Sequence, residues 1–195
     1  MAANLAKGGE KMNRIVETQS VPLVCYSIVP ARAADLAALP AIELAAAALF
    51  KGYIRLSPDI EFTPPEEFVR AHARGHLWVA LTEDRPVGFA LVETLDSGQP
   101  HLEEIDVLPE HGRGGVGTAL VRAVCEWVKA SGHAAITLTT FRNVPWNMPF
   151  YARMGFVEVP ADQLSAELAA IVRYEEGRGL SPRLRVVMRY RVPKS

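Results

Sequence analysis

Four glycines, Gly112, Gly114, Gly115 and Gly117, crowd the stretch EHGRGGVGTAL just ahead of a run with helical spacing. From Val116 the apolar residues fall at Val116, Ala119, Leu120, Ala123, Val124, Trp127 and Val128. That spacing lays one stripe along a 3.6-residue helix. Arg122, Glu126 and Lys129 take the wet side, and Gly132 marks the stop. Glycines at the front leave the backbone almost bare. The unpaired N–H groups of Arg113, Gly114, Gly115, Val116, Gly117 and Thr118, with the positive end of the helix dipole, suit a phosphate or diphosphate.

The string GRGGVG satisfies the dinucleotide pattern G-x-G-x-x-G, but that fold needs an apolar strand before it and an acid about 20 residues on. Here the preceding strand carries Glu103, Glu104 and Asp106, and the following strand AAITLTTF ends without an acid. Nor does a Gly-Lys-Ser/Thr follow the glycines, so a P-loop is excluded as well.

VLPEHGRGGVGTAL instead resembles the diphosphate loop of the GNAT superfamily of acetyl-CoA-dependent N-acetyltransferases. There a strand ending in valine runs into R/Q-x-x-G-x-G/A and then a helix. Val107 closes the strand, and Gly115 and Gly117 fill the two small positions. Gly112 stands where the family has Arg or Gln, and Arg113 one place later is the candidate for the lost side-chain contact. A second block, NVPWNMPFYARMGFVEV, is similar to the family's later motif, with Asn143, Phe150, Tyr151, Gly155 and Phe156 in place. Trp146 and Pro149 depart from it.

The resemblance implies an α/β fold with one mixed, mostly antiparallel sheet of about seven strands flanked by helices. It also implies acetyl-CoA as cosubstrate, no metal, and direct transfer to an amine. A lysine-like amine, pKa about 10.4, arrives protonated, so a carboxylate must take its proton. Glu103 and Glu104 precede Val107 where the family often has an acid. Neighbours on a strand face opposite sides, so only one is expected to reach the acceptor. The resemblance favours Glu103, which shares parity with His101 and Val107; a bulge near Val107 would swap the choice. A backbone N–H near Val107 is expected to meet the carbonyl oxygen if the strand splays from its neighbour. Tyr151 is the candidate to protonate or hydrogen-bond the departing thiolate, Asn143 and Asn147 are candidates for loop-capping or pantetheine contacts, and Phe150 is a candidate cofactor contact. The acceptor side is assigned Tyr53, Phe62 and Trp78 as walls, with Glu61, Glu66, Glu67 and Glu103 leaning towards a cationic amine, small molecule or peptide.

The elements that must position these groups follow in order. Residues 1–20 read as a loose leader and 21–195 as one domain. VPLVCYSIV is the first strand; Ala31–Leu39 and Ile42–Gly52 are two helices divided at Pro40. Thr63 caps a helix over PPEEFVRAHARG, and HLWVALTED with RPVGFALVETL form a hairpin. A helix is expected over Asp162–Glu176. RLRVVMRYRV alternates cleanly, its arginines guarding a sheet edge or rimming the cofactor's 3′-phosphate.

At 195 residues, 49% hydrophobic and net charge −1, the chain suggests neither disorder nor bulk attraction to nucleic acid. Asp35, Pro40 and Glu43 interrupt the alanine-rich segment, so no membrane span is expected. Cys25 and Cys125 read as small buried thiols of a reducing, cytoplasmic compartment. A homodimer is compatible with the resemblance. The rival reading is a non-catalytic acyl-CoA sensor on the same fold.

Overall fold

The β-branched and aromatic runs Leu77–Thr82 (β2) and Arg85–Thr94 (β3) meet through Glu83 and Asp84, whose φ values of 49° and 61° are both left-handed. That is the turn whose twist matches paired strands. In this computed structural model, which describes residues 25–54 and 62–193, the hairpin lies within a seven-stranded sheet. The other strands are Ser27–Pro30 (β1), Pro100–Val107 (β4), Ala135–Phe141 (β5), Val157–Glu158 (β6) and Arg185–Arg191 (β7). The order is β1-β2-β3-β4-β5-β7-β6, antiparallel throughout except for the parallel β4–β5 pair.

The helix after the glycine turn, Val116–Ala130 (α3), begins and ends where its apolar period predicts. Leu120, Val124 and Val128 are fully buried against Ala90, Leu102 and Ile136 of the sheet. On the opposite face Leu39–Ala47 (α1) and Pro65–Arg74 (α2) bury Leu39, Ile42 and Phe68 against Val79, Phe89 and Leu91. Further along that face Ala166–Gly177 (α5) packs Leu168 on Val187 and Val159.

Several local expectations change. Pro40 lies in the first turn of α1, where its missing N–H costs nothing. The chain passes instead from a 3₁₀ segment, Ala33–Ala38, into α1 and back to 3₁₀ at Ala48–Phe50. These 18 residues, Ala33–Phe50, are apolar and long enough to cross a bilayer by length and composition. Here their Leu39 and Ile42 join the core, and their buried Asp35 pairs with Arg32 at 2.8 Å. Ser165, not Asp162, starts the last helix, accepting the Leu168 N–H. β7 is an interior strand between β5 and β6, so its arginines guard no edge. Cys25 is exposed rather than buried. Residues 1–24, which include the leader and the start of the first strand, lie outside the described residues, as does Glu61.

Two bulges shape the centre of the sheet. The β3–β4 register steps from Leu91↔Glu104 to Val92↔Leu102, leaving Glu103 unpaired, and β2–β3 slips between Ala80 and Leu81. Such insertions bend and twist a strand. β3 keeps β4 through Gly88↔Val107, whereas β5 pairs with it only at His101↔Thr137 and Leu102↔Leu138. Beyond Leu102 the two parallel strands part. Gly88 permits the close passage of β4: a Cβ there would sit 2.8 Å from the Asp106 carbonyl oxygen. Gly88→Ala is expected to cost about 1–3 kcal/mol, read as a lower urea midpoint; an unchanged midpoint would show that β4 yields without strain.

Candidate active site

The chain leaves β4 at Val107, makes a 3₁₀ turn over Pro109–His111, and enters α3 through two left-handed residues, Arg113 (φ 59°) and Gly115 (φ 87°). No side chain caps the helix, and its first bond runs from the Ala119 N–H to the Gly115 carbonyl at 3.0 Å. The amides of Val116, Gly117 and Thr118 are therefore left for an outside acceptor. Val116 buries its side chain in the core and offers only its backbone, while Arg113 and Gly114 are exposed. Tyr26 holds the turn from β1: its hydroxyl donates to the Gly114 carbonyl at 3.2 Å. A Cβ on Gly115 would come within 2.9 Å of that hydroxyl oxygen.

Beside the turn lies the gap between β4 and β5. The Leu108 N–H donates to the Val87 carbonyl at 2.9 Å, on the β3 side. Alternation along the strand then aims the N–H groups of Ile105 and Val107 into the gap. The short helix Met148–Arg153 (α4) brings Tyr151 there, 6% exposed. Its ring centroid lies 5.0 Å from that of Phe150, and Phe150 in turn lies 3.8 Å from where a Gly117 Cβ would be. The two sequence blocks are thus packed on one another. Burial, helped by the charge of Asp106, pushes the Tyr151 phenol upward and keeps it protonated. Asn147 precedes α4, accepts the Phe150 and Tyr151 amides, and donates through Nδ2 to Thr140 at 2.7 Å. Its buried Oδ1 has no hydrogen-bond partner among the described residues. Asn143 is exposed in the loop between β5 and α4.

On the other face a pocket of about 430 Å³ opens beneath α1 and α2. Glu103, Glu104 and Asp106 all line it. The expected choice between Glu103 and Glu104 does not arise, because the unpaired bulge residue is Glu103 itself. The two glutamates reach the same cavity, and Val107 turns its side chain to the α3 core. Asp106 escaped sequence reasoning, although its parity with Glu104 was the available signal. Thr63 was also misassigned: it does not cap α2 but donates its N–H to Glu43 at 2.8 Å and its hydroxyl to Glu104 at 2.7 Å. Phe62 walls the pocket as expected. Tyr53 stacks on Trp146, and Trp78 lies against Trp127 on the α3 face.

Burial and the charges of Glu93, Glu175 and Glu67 push Glu103 up to about 7. Its side chain is still 48% exposed, at the pocket mouth. Burial drives both Glu104 and Asp106 upward, and the neighbouring charge of Asp106 raises Glu104 further. His101 lies fully buried beneath, its Nδ1 2.8 Å from Thr137 Oγ1. Burial lowers it to about 4, so it is neutral, and its Nε2 lies 4.0 Å from Glu103 Oε2. Of the β7 arginines, Arg185 pairs with Glu175 and sits over the Phe141 ring at 4.5 Å. Arg189 and Arg191 line a separate cavity with Pro100, at the end of β4 opposite the glycine turn. None of the three borders that turn.

The sequence model of the acetyltransferase (GNAT) family matches residues 43–156. Among solved structures, the ribosomal-protein-S18-alanine N-acetyltransferase of Escherichia coli superposes with a TM-score of 0.60 at 15% identity, over 88% of this chain and 96% of that one. PaiA N-acetyltransferase of Thermoplasma acidophilum, solved with coenzyme A, gives 0.66 at 14% identity, over 86% and 99%. N-acetylglutamate synthase of Neisseria gonorrhoeae, solved with coenzyme A and N-acetyl-glutamate, gives 0.62 at 16% identity, over 87% of this chain and 36% of that longer one. At these identities the likeness is one of fold.

The raised Glu103 ties stability to pH. A carboxyl that holds its proton more tightly when folded stabilises the native state below its ordinary pKa. That contribution is lost as pH climbs from 4.5 to about 7. Glu103→Gln should therefore raise stability at pH 8 by about 1 kcal/mol, the exposed carboxylate being partly screened, and change little at pH 4. Urea midpoints at the two pH values decide it, and an equal effect at both would refute the account.

Proposed function

The chain belongs to the acetyltransferase (GNAT) family, and from that premise we propose that it moves an acetyl group from acetyl-CoA directly to a primary amine. The observation that carries this reading is the β4–β5 gap. It opens at Leu102 between the bare start of α3 and a pocket of carboxylates, with Tyr151 buried at its side.

The residues present fit an acyl-coenzyme A. The amides from Arg113 to Thr118 would hold its diphosphate, as a left-handed turn followed by an uncapped helix allows. Asn147, with its unpartnered Oδ1, and Phe150 would line the pantetheine arm, and Asn143 the loop above it. When bound, the thioester supplies an acyl carbon already activated for attack.

The protein's groups do the rest. Glu103, with a pKa of about 7, takes the proton from the ammonium and leaves a neutral amine at working pH. The N–H groups of Ile105 and Val107, pre-set by the strand, meet the negative charge that builds on the carbonyl oxygen. As the nitrogen–carbon bond forms and the carbon–sulfur bond breaks, Tyr151 passes a proton to the sulfur and recovers the one the nitrogen sheds on becoming an amide. A thiolate of pKa about 8.5 is a weaker base than a phenolate of about 10, so the proton moves only as the nitrogen gives up its own and Tyr151 is not left ionised. Transfer is direct. Cys125, on α3, has its thiol pushed up to about 11 by burial and makes a poor nucleophile.

Thiol release from acetyl-CoA over grouped amines is the primary test. Tyr151→Phe should lower kcat by about 100-fold while coenzyme A binding by calorimetry stays as in the wild type. Undiminished turnover would remove Tyr151 from the chemistry. With saturating amine, kcat should climb as pH rises through about 7, and Glu103→Gln should flatten that limb. A limb that survives in the variant would transfer the base role to Glu104 or Asp106.

A further inference from the structure

The acceptor pocket holds more negative charge than a single amine needs. Six carboxylates line it, against one arginine, Arg178, among the described residues. They form two groups. Glu43 on α1 and Glu104 on β4 are bridged by Thr63, and the charge of Asp106 bears on Glu104. Glu93 of β3 and Glu67 of α2 bear on Glu103 at the bulge, and Glu67 already has Arg70 at 3.3 Å.

The decisive atom is Glu43 Oε2. The side chain lines the pocket, is only 6% exposed, and leaves that oxygen without a hydrogen-bond partner among the described residues. Buried carboxylate oxygens are normally satisfied, and an ammonium brings three donors and the opposite charge. Between the groups the walls are Ala47, Phe50, Phe62 and Phe141. These suit methylenes, and the ring faces attract a cation.

Resting on the acetyl-transfer reading, we infer that the acceptor is an aliphatic diamine or polyamine, whose second ammonium is held by Glu43 beside Glu104 and Asp106 while the first is acetylated. The first ammonium gives one proton to Glu103; as its nitrogen gains the acyl carbon and the carbon–sulfur bond breaks, its second proton passes by way of Tyr151 to the sulfur, leaving an amide and a free thiol. The second nitrogen stays protonated throughout, so no further reactant is required. Glu43 is then a specificity residue that touches the acceptor and leaves the reacting atoms alone.

The test measures kcat/KM by thiol release from the full chain for putrescine and n-butylamine, with kanamycin and a lysine peptide as rivals. Putrescine should exceed n-butylamine by at least about tenfold, the equivalent of one charge-assisted hydrogen bond. Glu43→Gln should erase most of that preference through KM. Equal rates for the two amines, or a best rate with kanamycin or the peptide, would overturn the inference and leave acetyl transfer standing. No thiol release with any amine, despite coenzyme A binding, would reject the acetyl-transfer reading instead. Calorimetry of putrescine then decides the cation site: salt-sensitive heat supports it, and no heat overturns it. The wild-type preference and the titration suffice even if Glu43→Gln fails to fold.

Discussion

β4 cannot serve two neighbours along its whole length. β3 claims it as far as Val107, and β5 has it only at His101 and Leu102. The extra residue at Glu103 makes the division local, because a bulge adds bend and twist at one point and leaves the ladder on β3 to resume. Backbone donors in a sheet interior are ordinarily all paired. Here a run of them opens onto a gap without leaving the fold, and the glycine turn follows within a few residues. The start of α3, the free amides of β4 and the carboxylates all take their positions from this one parting of strands.

The same bulge concentrates charge. By turning Glu103 toward the cavity already lined by Glu104 and Asp106, it places three acids on adjoining positions under one roof. Such crowding is unfavourable unless protons or cations relieve it. Burial pushes Glu104 and Asp106 towards their protonated forms, and Glu175 is neutralised by Arg185 at 2.9 Å. Arg185 is held in turn by Thr139 and by the Phe141 ring, so a structural ion pair stands close to the unpaired acids. The contrast separates carboxylates that hold the fold together from carboxylates kept at some cost to it.

What sequence could show was local. The period of α3, the glycines before it, the β2–β3 turn and the Phe150–Tyr151 block are each written within a few residues, and each lies where its spacing indicates. What it could not show depended on distant partners. Strand alternation assigns Glu103 and Glu104 to opposite faces, and only the register against β3 reveals the extra residue. Thr63 has the chemistry of a cap, yet its hydroxyl is claimed by Glu104, 41 residues away. The arginines of β7 look like an edge device because nothing in that stretch announces that the two-residue strand β6 lies outside it.

The two faces of the sheet have accordingly taken different work. The α3 face is packed with aliphatic and aromatic side chains, with the bare helix start and Tyr151 beside the gap. The opposite face around β4 is acidic and aromatic-walled. Two substrates of unlike character, one with a diphosphate and one cationic, would each find the complementary side, and like charges would keep either from the wrong one. The gap beyond Leu102 joins these faces at the height of Tyr151 and the β4 amides. A reaction between molecules held on either side must then occur across the gap itself. Such an arrangement would give proximity without a covalent relay, in keeping with a half-buried thiol, Cys125, that lies on α3 rather than among the acids.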